Sequence, residues 1–356
     1  MNNIVQNCEE ESQSKEQQTQ TNTQNYIDSS KPIKNISKLF GIKYLADMSG
    51  VTSLQDYGGV RSMLALSENI IITGSYDGSL FICSLDLLSK KYNITFNQIR
   101  AHEEIISYLS KTDNKQIISS SYDKTIKIWD ILDGNKLKLN KIVTKHSSSV
   151  MQAIYIGYER IASCSTDLVI IWKQHSLRSI MEFIQDYKDL TAILYLPKKD
   201  FFLISNRGRN NDGIINVWDL NSPYKPMKVI NNIYAYYVNC MIELYNGNIA
   251  ITHGKNSDIY ILNSNNFETI NIINLPRNFP KLYTVSKNSF FAVDWGVVYQ
   301  LLTDDGINYK IVFQDKTSIE ELYGLGGVIV LENGNYFVTD GKLIHGVNIF
   351  KCEYEK

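Results

Sequence analysis

Three features of the sequence predict an all-β protein, specifically a seven-bladed β-propeller of four-stranded antiparallel blades. From about Tyr57 onward the chain consists of short apolar runs, rich in Val, Ile, Tyr and Phe and separated by Gly, Asn, Asp and Ser. No long amphipathic helix pattern interrupts these runs, and the 356 residues include only 6 prolines. A strand–turn–strand unit also recurs about every 45 residues, the period typical of propeller blades.

Each repeated unit consists of an apolar strand, a turn that carries Asp, and a second apolar strand. The clear turn aspartates are Asp77, Asp123, Asp167 and Asp212, spaced 46, 44 and 45 residues apart. Weaker copies have turns centred near Asp258, Trp295 and Gly341. A single blade cannot cover both faces of its sheet, so we expect seven blades to pack side by side in a closed ring.

The two ends of the chain are expected to meet in the last blade. The seventh unit ends after its third strand, around Phe350, so the outer strand has to come from elsewhere. Residues 38–54 are the available piece, although the apolar positions of 36–48 also fit part of a helical stripe. We therefore expect an N-terminal strand to close a propeller that occupies residues 36–356. Residues 1–35 are polar and nearly free of aromatics, which predicts a disordered tail.

The charge balance argues against nucleic acid as a partner. The chain has 36 Lys and Arg against 37 Asp and Glu, whereas proteins that coat DNA or RNA need a basic surface that displaces counterions. The overall balance leaves room for a local basic patch. We therefore expect no nucleic acid partner.

The cysteines and the absence of apolar segments indicate the compartment. Five cysteines lie far apart, at Cys8, Cys83, Cys164, Cys240 and Cys352. They form no CxxC pair, so we expect no metal site and no cofactor, and an odd number of dispersed thiols is typical of a reducing compartment. The sequence contains neither a signal-peptide core nor a run of 18 apolar residues. We expect a soluble cytoplasmic protein without membrane insertion. The nucleus is the alternative location.

The stretch SSSYDKTIKIWD, residues 119–130, contains residue types that have two different interpretations. Ser, His and Asp together can form a nucleophile with its base, or they can form a polar clasp that stabilises a sheet. The same set occurs twice, with His and Asp 21 residues apart and Ser and Asp 4 residues apart in both copies. The two copies are His102, Ser119, Asp123 and Trp129, and His146, Ser163, Asp167 and Trp172.

These two sets resemble the tetrads of the WD-repeat β-propeller family. The resemblance implies a hydrogen-bonded chain in each blade, from the Trp indole to Ser, then to His and finally to Asp. A catalytic set normally occurs once, beside a substrate pocket, whereas this one is repeated in neighbouring units. We therefore interpret both tetrads as structural and expect no catalytic residues.

The other units depart from the tetrad pattern. The first unit keeps Thr73 and Asp77 but has Cys83 at the position of the tryptophan. The fourth unit is expected to keep Ser205 and Trp218, with three extra residues in the turn before Asp212. Units five to seven lack the tetrad, so their boundaries follow only from the period.

The resemblance also implies where partners bind. In WD-repeat proteins the turn between the second and third strands opens on the face that most often meets partners, and the residue before the turn Asp tends to point outward. The candidate partner-binding residues are Tyr76, Tyr122, Thr166, Arg207, Arg209 and Asn211. The two arginines could bind a carboxylate or phosphate. The alternatives are that the tyrosines lean on neighbouring blades and that the arginines lie in an ordinary solvated turn.

The function that the resemblance implies is a non-catalytic scaffold that mediates protein–protein interaction and complex assembly. No small-molecule substrate is expected. One alternative is a substrate-recognition subunit of a ubiquitin ligase, although the N-terminal segment has no helical stretch like an F-box. The alternative of a different class is a propeller-fold enzyme, which requires a carboxylate or His cluster in the central channel. Fold alone does not fix the choice among these functions.

Overall fold

The computed structural model describes an all-β chain. It covers residues 39–47, 60–67, 69–85, 94–113, 115–132, 136–166, 168–184, 190–207, 213–233, 238–253, 258–276, 281–294, 297–316, 328–331, 336–341 and 346–354. The regular structure in these segments is entirely β-strand, as predicted. The predicted disordered tail, residues 1–35, lies outside the described residues.

The strands are short and follow one another closely along the chain. Their bounds are β1 Leu39–Asp47, β2 Val60–Ser67, β3 Ile70–Ser75, β4 Ser79–Leu85, β5 Ile94–Arg100, β6 Ile106–Lys111, β7 Gln116–Ser121, β8 Ile126–Leu132, β9 Lys136–Val143, β10 Val150–Tyr155, β11 Arg160–Ser165, β12 Leu168–Lys173, β13 Ser179–Ile184, β14 Leu190–Leu196, β15 Phe201–Arg207, β16 Gly213–Asp219, β17 Lys228–Ile233, β18 Val238–Glu243, β19 Ile249–His253, β20 Ile259–Leu262, β21 Thr269–Ile273, β22 Lys281–Ser286, β23 Ser289–Asp294, β24 Val297–Leu302, β25 Lys310–Lys316, β26 Val328–Leu331, β27 Tyr336–Gly341 and β28 Gly346–Tyr354.

Six antiparallel sheets, and not the seven that the sequence predicts, each consist of four consecutive strands. We call them blades 1 to 6: β2–β5, β6–β9, β10–β13, β14–β17, β18–β21 and β22–β25. Within each blade the order of the strands in the sheet is their order in the chain. The protein is therefore a β-propeller of four-stranded antiparallel blades, with the first strand of each blade innermost.

A further four-stranded sheet joins the two ends of the chain. Its strand order is β1, β28, β27 and β26, and β1 pairs with β28 in a register that sets Tyr44 opposite Phe350. The N-terminal strand predicted within residues 38–54 thus forms and occupies the outer edge of this sheet. The inner strand β26 contacts both β22 of blade 6 and β2 of blade 1.

Burial explains why strands in different positions have different sequences. The second strands of blades 1 to 3 lie between neighbouring strands and neighbouring blades, and all but their first residues are buried. Such strands read as continuous runs of apolar and small residues, without polar alternation. The outer strand β9 alternates Lys with Leu instead, because one of its sides faces water.

The core lies between the blades. Between blades 1 and 2, the side chains of Ile72 and Ile82 pack with Ile106 and Ile117, and the cores between later blades are built in the same way. Inner strands are also bonded to each other directly. The hydroxyl of Ser107 donates to the Val150 carbonyl at 2.6 Å. Apolar burial and these polar bonds together fix the angle between blades 2 and 3.

The antiparallel connectivity gives each blade two ends, which form the two faces of the propeller. The turn face carries the turns between second and third strands and the loops that lead to the next blade. The hairpin face carries the turns between first and second strands and between third and fourth strands.

Among the described residues, no helical segment has the length and hydrophobicity of a membrane span.

Candidate functional site

The first predicted tetrad forms a continuous hydrogen-bonded chain in blade 2. The Trp129 indole N–H donates to the Ser119 hydroxyl oxygen at 2.9 Å, and Ser119 Oγ lies 2.7 Å from His102 Nε2. His102 Nδ1 lies 2.9 Å from Asp123 Oδ2. Asp123 Oδ1 also accepts from the Thr125 hydroxyl at 2.7 Å. The structure thus brings together all four residues.

Donor and acceptor chemistry fixes the protons in this chain. The ionised Asp123 can only accept, so His102 Nδ1–H donates to it; the other nitrogen of the neutral ring, Nε2, then accepts from the Ser119 hydroxyl. Burial lowers the pKa of His102 despite the nearby carboxylate. Burial acts to raise the pKa of Asp123, but hydrogen bonds from His102 and Thr125 outweigh it and hold that pKa well below its usual range. The pair is therefore a neutral imidazole bonded to a carboxylate.

The tetrad is sealed from any substrate. Ser119 is 0% exposed and His102 is 1% exposed, so the hydroxyl cannot reach a molecule in solution. Asp123 accepts a further bond from the backbone N–H of Glu103 at 3.2 Å. The chain of bonds ties the loop after blade 1 to the middle strands of blade 2. This geometry is that of a structural clasp.

The second tetrad is built in the same way in blade 3. The Trp172 indole N–H donates to Ser163 Oγ at 2.7 Å, and His146 Nε2 lies 2.7 Å from the same oxygen. The fourth predicted member, Asp167, lies outside the described residues. Lys145 Nζ lies 5.9 Å from the centre of the Trp172 ring and covers its outer side.

Blade 1 lacks the clasp because its tryptophan is replaced. Cys83 pairs with Ile71 in the register that sets Trp129 opposite Ile117 in blade 2. The buried Thr73 hydroxyl, at the position of Ser119, has no hydrogen-bond partner in the structure. Asp77 instead accepts from the Ser79 backbone N–H at 2.9 Å, which closes its own turn.

The expectation that Ser205 belongs to a tetrad in blade 4 is wrong. Strand pairing sets Trp218 opposite Phe202, so the residue that matches Ser119 is Ile204. Ser205 Oγ instead lies 3.0 Å from both the N and the O of Ala192, across the inner strand pair. The Trp218 indole N–H is buried without a partner. Because Ser205 and Asp212 are seven residues apart, against four in blades 2 and 3, the sequence spacing does not define this position.

The turn-face candidates of blades 1 to 3 are half-buried. Tyr76, Tyr122 and Thr166 each keep only part of their surface exposed. The Tyr122 carbonyl accepts from Ser149 Oγ at 3.3 Å, and the Thr166 hydroxyl donates to Ser148 Oγ at 3.0 Å. The turn of blade 2 is therefore held against the loop that leads to blade 3, and Thr166 is held against the same loop within its own blade.

The remaining partner-binding candidates belong to the expanded turn of blade 4. Arg207 ends β15, where its backbone pairs with Gly213, and its side chain is outside what the structure describes. Arg209 and Asn211 lie outside the described residues. Their predicted role in partner binding therefore stays a prediction.

Sequence reasoning missed a second polar network, on the hairpin face. Arg160 Nη2 lies 2.7 Å from Asp200 Oδ1 of the next blade, and the Tyr195 hydroxyl donates to the same oxygen at 2.8 Å. The guanidinium also lies 5.2 Å from the centre of the Tyr158 ring. Tyr195 has an equivalent in blade 3, Tyr155, but the Arg160–Asp200 pair joins two blades and is not marked by a repeated spacing. The sequence feature that could have indicated this network is the short turn Gly157–Arg160 between two apolar strands.

The thiols and potential metal ligands show no reactive arrangement in the described segments. No group of three or more His, Cys, Asp or Glu side chains there could hold a metal ion. Burial raises the pKa of Cys83 and Cys164 to about 12, so both stay protonated at neutral pH. These two buried cysteines behave as small apolar side chains.

Blades of four antiparallel strands, with an indole–hydroxyl–imidazole–carboxylate clasp, define the WD-repeat class of propellers. In agreement, the family profile "WD domain, G-beta repeat" matches residues 94–130. The chain is similar to the WD40 β-propeller domain of Doa1, with a TM-score of 0.68 at 13% identity, over 87% of this chain and 97% of that one. It is also similar to the WD40 repeats of RRP9, with a TM-score of 0.67 at 10% identity, over 90% and 100% of the two chains. The resemblance stated from the sequence is confirmed: the family profile matches residues 94–130, and the chain has the β-propeller fold of these two WD40 structures.

Two curated proteins match part of the chain. A guanine nucleotide-binding protein subunit beta from Saccharomyces cerevisiae is 27% identical over 152 residues, which are 39% of this chain and 34% of the relative. A UDP-galactose:fucoside alpha-3-galactosyltransferase from Dictyostelium discoideum is 23% identical over 150 residues, which are 37% of this chain and 22% of the relative. The matched region thus spans about a third or less of each relative.

Proposed function

We propose that this protein is a non-catalytic platform whose faces bind other proteins and assemble them into a complex. The observation that carries the proposal is the burial of the Ser119–His102–Asp123 chain, which uses the chemically active side chains for structure. A nucleophile needs access to its substrate and donors for the developing oxyanion, and a sealed hydroxyl has neither. The side chains that remain outside are suited to contacts with other macromolecules.

The similar proteins support a binding role more than an enzymatic one. The yeast relative is named as a subunit, so it works within an assembly, and it matches 39% of this chain. The transferase relative is matched over only 22% of its length. An activity of that whole protein therefore does not carry over to this chain. Many propellers with the WD40 fold bind partners through their loops.

The turn face is the first surface that we propose for partner contact. Tyr76 and Tyr122 lie at equivalent places in neighbouring blades, and Thr166 continues the row in blade 3. Each is half-buried, so a partner would meet ring edges and hydroxyl groups held by a rigid backbone. Such preorganised side chains lose little entropy on binding.

Affinity purification with mass spectrometry from the native cell tests the platform function. The wild-type chain is expected to retain a reproducible set of proteins, and the triple variant with Tyr76, Tyr122 and Thr166 each replaced by Ala is expected to lose members of that set. Ile272→Ala, on the exposed outer strand of blade 5, is the matched control and should retain the full set. Recovery of no stable protein partner, together with turnover of a small molecule, would contradict the proposal.

We also propose a cytoplasmic location. Cys83, Cys164 and Cys240 form no disulfide among the described residues, which is typical of proteins in reducing compartments. A fluorescent fusion expressed in the native cell is expected to fill the cytoplasm, and accumulation in a secretory organelle would contradict this expectation.

A further inference from the structure

Four loops on the hairpin face of blades 3 and 4 form one continuous surface. The Gln174 N–H donates to the Glu159 carbonyl at 2.7 Å, which joins loop 174–178 to the turn between β10 and β11. Arg160 and Asp200 join that turn to the first turn of blade 4. The Leu220 N–H donates to the Asp200 carbonyl at 3.1 Å and brings in loop 220–227. We call this surface the blade 3–4 platform.

Large apolar side chains are exposed on the blade 3–4 platform. Tyr224 is 94% exposed, Tyr158 is 58% exposed and Met227 is 50% exposed. By contrast, the turn-face tyrosines Tyr76 and Tyr122 are half-buried. Exposed Tyr and Met side chains are enriched in binding surfaces, because they bring apolar area with a polar or adaptable end.

Tyr158 is held rigidly although its ring is exposed. The neighbouring Glu159 N–H donates to the Tyr155 hydroxyl at 3.3 Å, and Tyr155 itself bonds to Asp113 of blade 2. On the other side, the Arg160 guanidinium lies against the Tyr158 ring and is bonded to blade 4. An aromatic side chain that is fixed before binding loses little conformational entropy when a partner covers it. Tyr158 therefore has the properties of an anchor residue.

The charged side chains around these rings have a net positive charge. The four loops and the strand ends that flank them carry three carboxylates, Glu159, Asp200 and Asp219, and Asp200 is paired with Arg160. The same segments carry seven Lys and Arg side chains: Arg160, Lys173, Arg178, Lys198, Lys199, Lys225 and Lys228. Four exposed cations on the same loops and strand ends make no ion pair in the structure. They are Lys173, Arg178, Lys198 and Lys225. The surplus charge of the platform is therefore positive.

From this combination we infer that the blade 3–4 platform binds an acidic, extended peptide segment of a partner protein, with apolar side chains of the peptide on Tyr158 and Tyr224. The charge complementarity comes from the four unpaired cations, and the aromatic rings supply apolar contact. A nucleic acid would need many more phosphate contacts than these cations provide in a chain with net charge -1. The inference rests on the proposed function, since it assigns one of the surfaces that an assembling platform requires.

Fluorescence anisotropy with a synthetic probe tests the inference directly. The probe is a labelled glutamate-rich peptide that carries two phenylalanines, and the comparison peptide has glutamine in place of each glutamate. The full chain is expected to bind the acidic probe at least about tenfold more tightly than the glutamine peptide. Because the attraction is between exposed charges, we expect the affinity to fall as the salt concentration rises.

Two double variants separate the aromatic and electrostatic contributions. Tyr158→Ala with Tyr224→Ala is expected to weaken binding of the acidic probe about tenfold or more, the loss typical of anchor residues. Lys198→Glu with Lys225→Glu is expected to weaken it by a similar factor. Lys138→Glu with Lys310→Glu, on the outer strands of blades 2 and 6, makes the same change of charge elsewhere and should bind as the wild type does. Thermal melts of all three variants identify any that fail to fold.

Three outcomes would overturn the inference. They are equal affinity for the two peptides, equal weakening by the platform variants and the control variant, and tighter binding of a single-stranded oligonucleotide than of the acidic peptide. The platform variants are also tested in the affinity purification. If they keep every partner while the wild-type chain retains a reproducible set, the inference fails and the proposed function stands. If no partner is recovered at all, the proposed function itself fails.

Discussion

At the residue scale, Trp129 and Trp218 occupy equivalent places in blades 2 and 4 but differ in their bonding. The indole of Trp129 donates to Ser119 at 2.9 Å, whereas the buried indole N–H of Trp218 has no partner. We therefore expect Trp129→Phe to lower the free energy of unfolding by about 1–2 kcal/mol more than Trp218→Phe does, since only the former leaves the Ser119 acceptor without its donor. Denaturant unfolding of the two variants and the wild type measures the difference.

Trp172→Phe tests the same loss of an indole–hydroxyl hydrogen bond in blade 3. Its indole donates to Ser163 at 2.7 Å, so its cost should resemble that of Trp129→Phe. Equal losses for all three tryptophans would mean that packing alone explains their effect, and the clasp would then contribute little.

The buried His253 introduces a pH dependence. It is 0% exposed, neither ring nitrogen has a hydrogen-bond partner in the structure, and its ring packs 5.1 Å from that of Tyr260. Burial lowers its pKa below the ordinary value of about 6.5. The unfolded chain therefore binds the proton more readily, and this residue makes stability fall as the pH decreases below about 6.5.

His253→Leu is expected to flatten this part of the pH dependence. Each pH unit below about 6.5 should cost the wild type up to about 1.4 kcal/mol more than the variant, until the lowered pKa is passed. Burial raises the pKa of Glu243 to about 7, which gives a slope of opposite sign between about 4.5 and 7, so the diagnostic quantity is the difference between variant and wild type. Urea unfolding at pH 7.5 and 5.5 measures it, with the exposed His175→Leu as control. Parallel slopes for His253→Leu and wild type would contradict the expectation.

At the scale of single elements, the turn of blade 1 depends on one glycine. Gly78 has a φ of +88°, and its carbonyl accepts from the N–H groups of Ala101 and His102 at 3.1 and 2.9 Å. A Cβ at this position would lie 2.2 Å from the His102 carbonyl oxygen. The turn therefore tolerates no side chain, and it positions the loop that carries the clasp histidine.

Gly78→Ala is expected to destabilise the protein more than Gly247→Ala. Gly247 has a similar φ of +84°, but a Cβ there would meet nothing closer than the Ser264 hydroxyl at 4.0 Å. Both changes incur the left-handed backbone penalty of about 1–2 kcal/mol. Only Gly78→Ala adds the overlap with a backbone oxygen, for a further loss of about 1–3 kcal/mol. Thermal unfolding of both variants measures the difference, and equal melting temperatures would argue against tight packing of this turn.

The elements also show how far the sequence defines the clasp. The tetrads of blades 2 and 3 could be predicted because their spacing is the same and their turns are short. The assignment in blade 4 was wrong because the turn before Asp212 is longer, so the spacing of four residues no longer locates the hydroxyl; strand register places Ile204 there, one residue before Ser205. Register depends on the pairing of β15 with β16, and this pairing is decided by packing on both sides of the strand.

At the scale of the whole molecule, the matched sequence repeat and the blade are offset by one strand. The repeat at residues 94–130 begins with β5, the outer strand of blade 1, and ends in β8 of blade 2. In the composite sheet the outer strand likewise does not follow the other three strands in the chain. The pairing of β1 with β28 provides it.

We propose that the composite sheet closes the ring between blades 6 and 1. Deletion of residues 36–56 is expected to abolish cooperative unfolding, because it removes β1 and leaves β28 with an unpaired edge. Deletion of residues 1–30 is the control and should leave the denaturation curve unchanged. Circular dichroism during urea titration distinguishes the two cases, and a sharp transition in the 36–56 deletion would contradict closure by β1.

The sequence by itself determined the class of fold, the repeat and the members of the clasp in blade 2, because these follow from local periods and from spacings within one unit. The tertiary structure decided which hydroxyl faces which indole in blade 4, and it brought Tyr158, Arg160 and Asp200 together across two blades. The physical reason is that contacts within a unit follow from short spacings along the chain, as in blades 2 and 3, whereas contacts between blades depend on how neighbouring sheets pack against each other. Only the packed ring shows which side chains stay exposed for a partner.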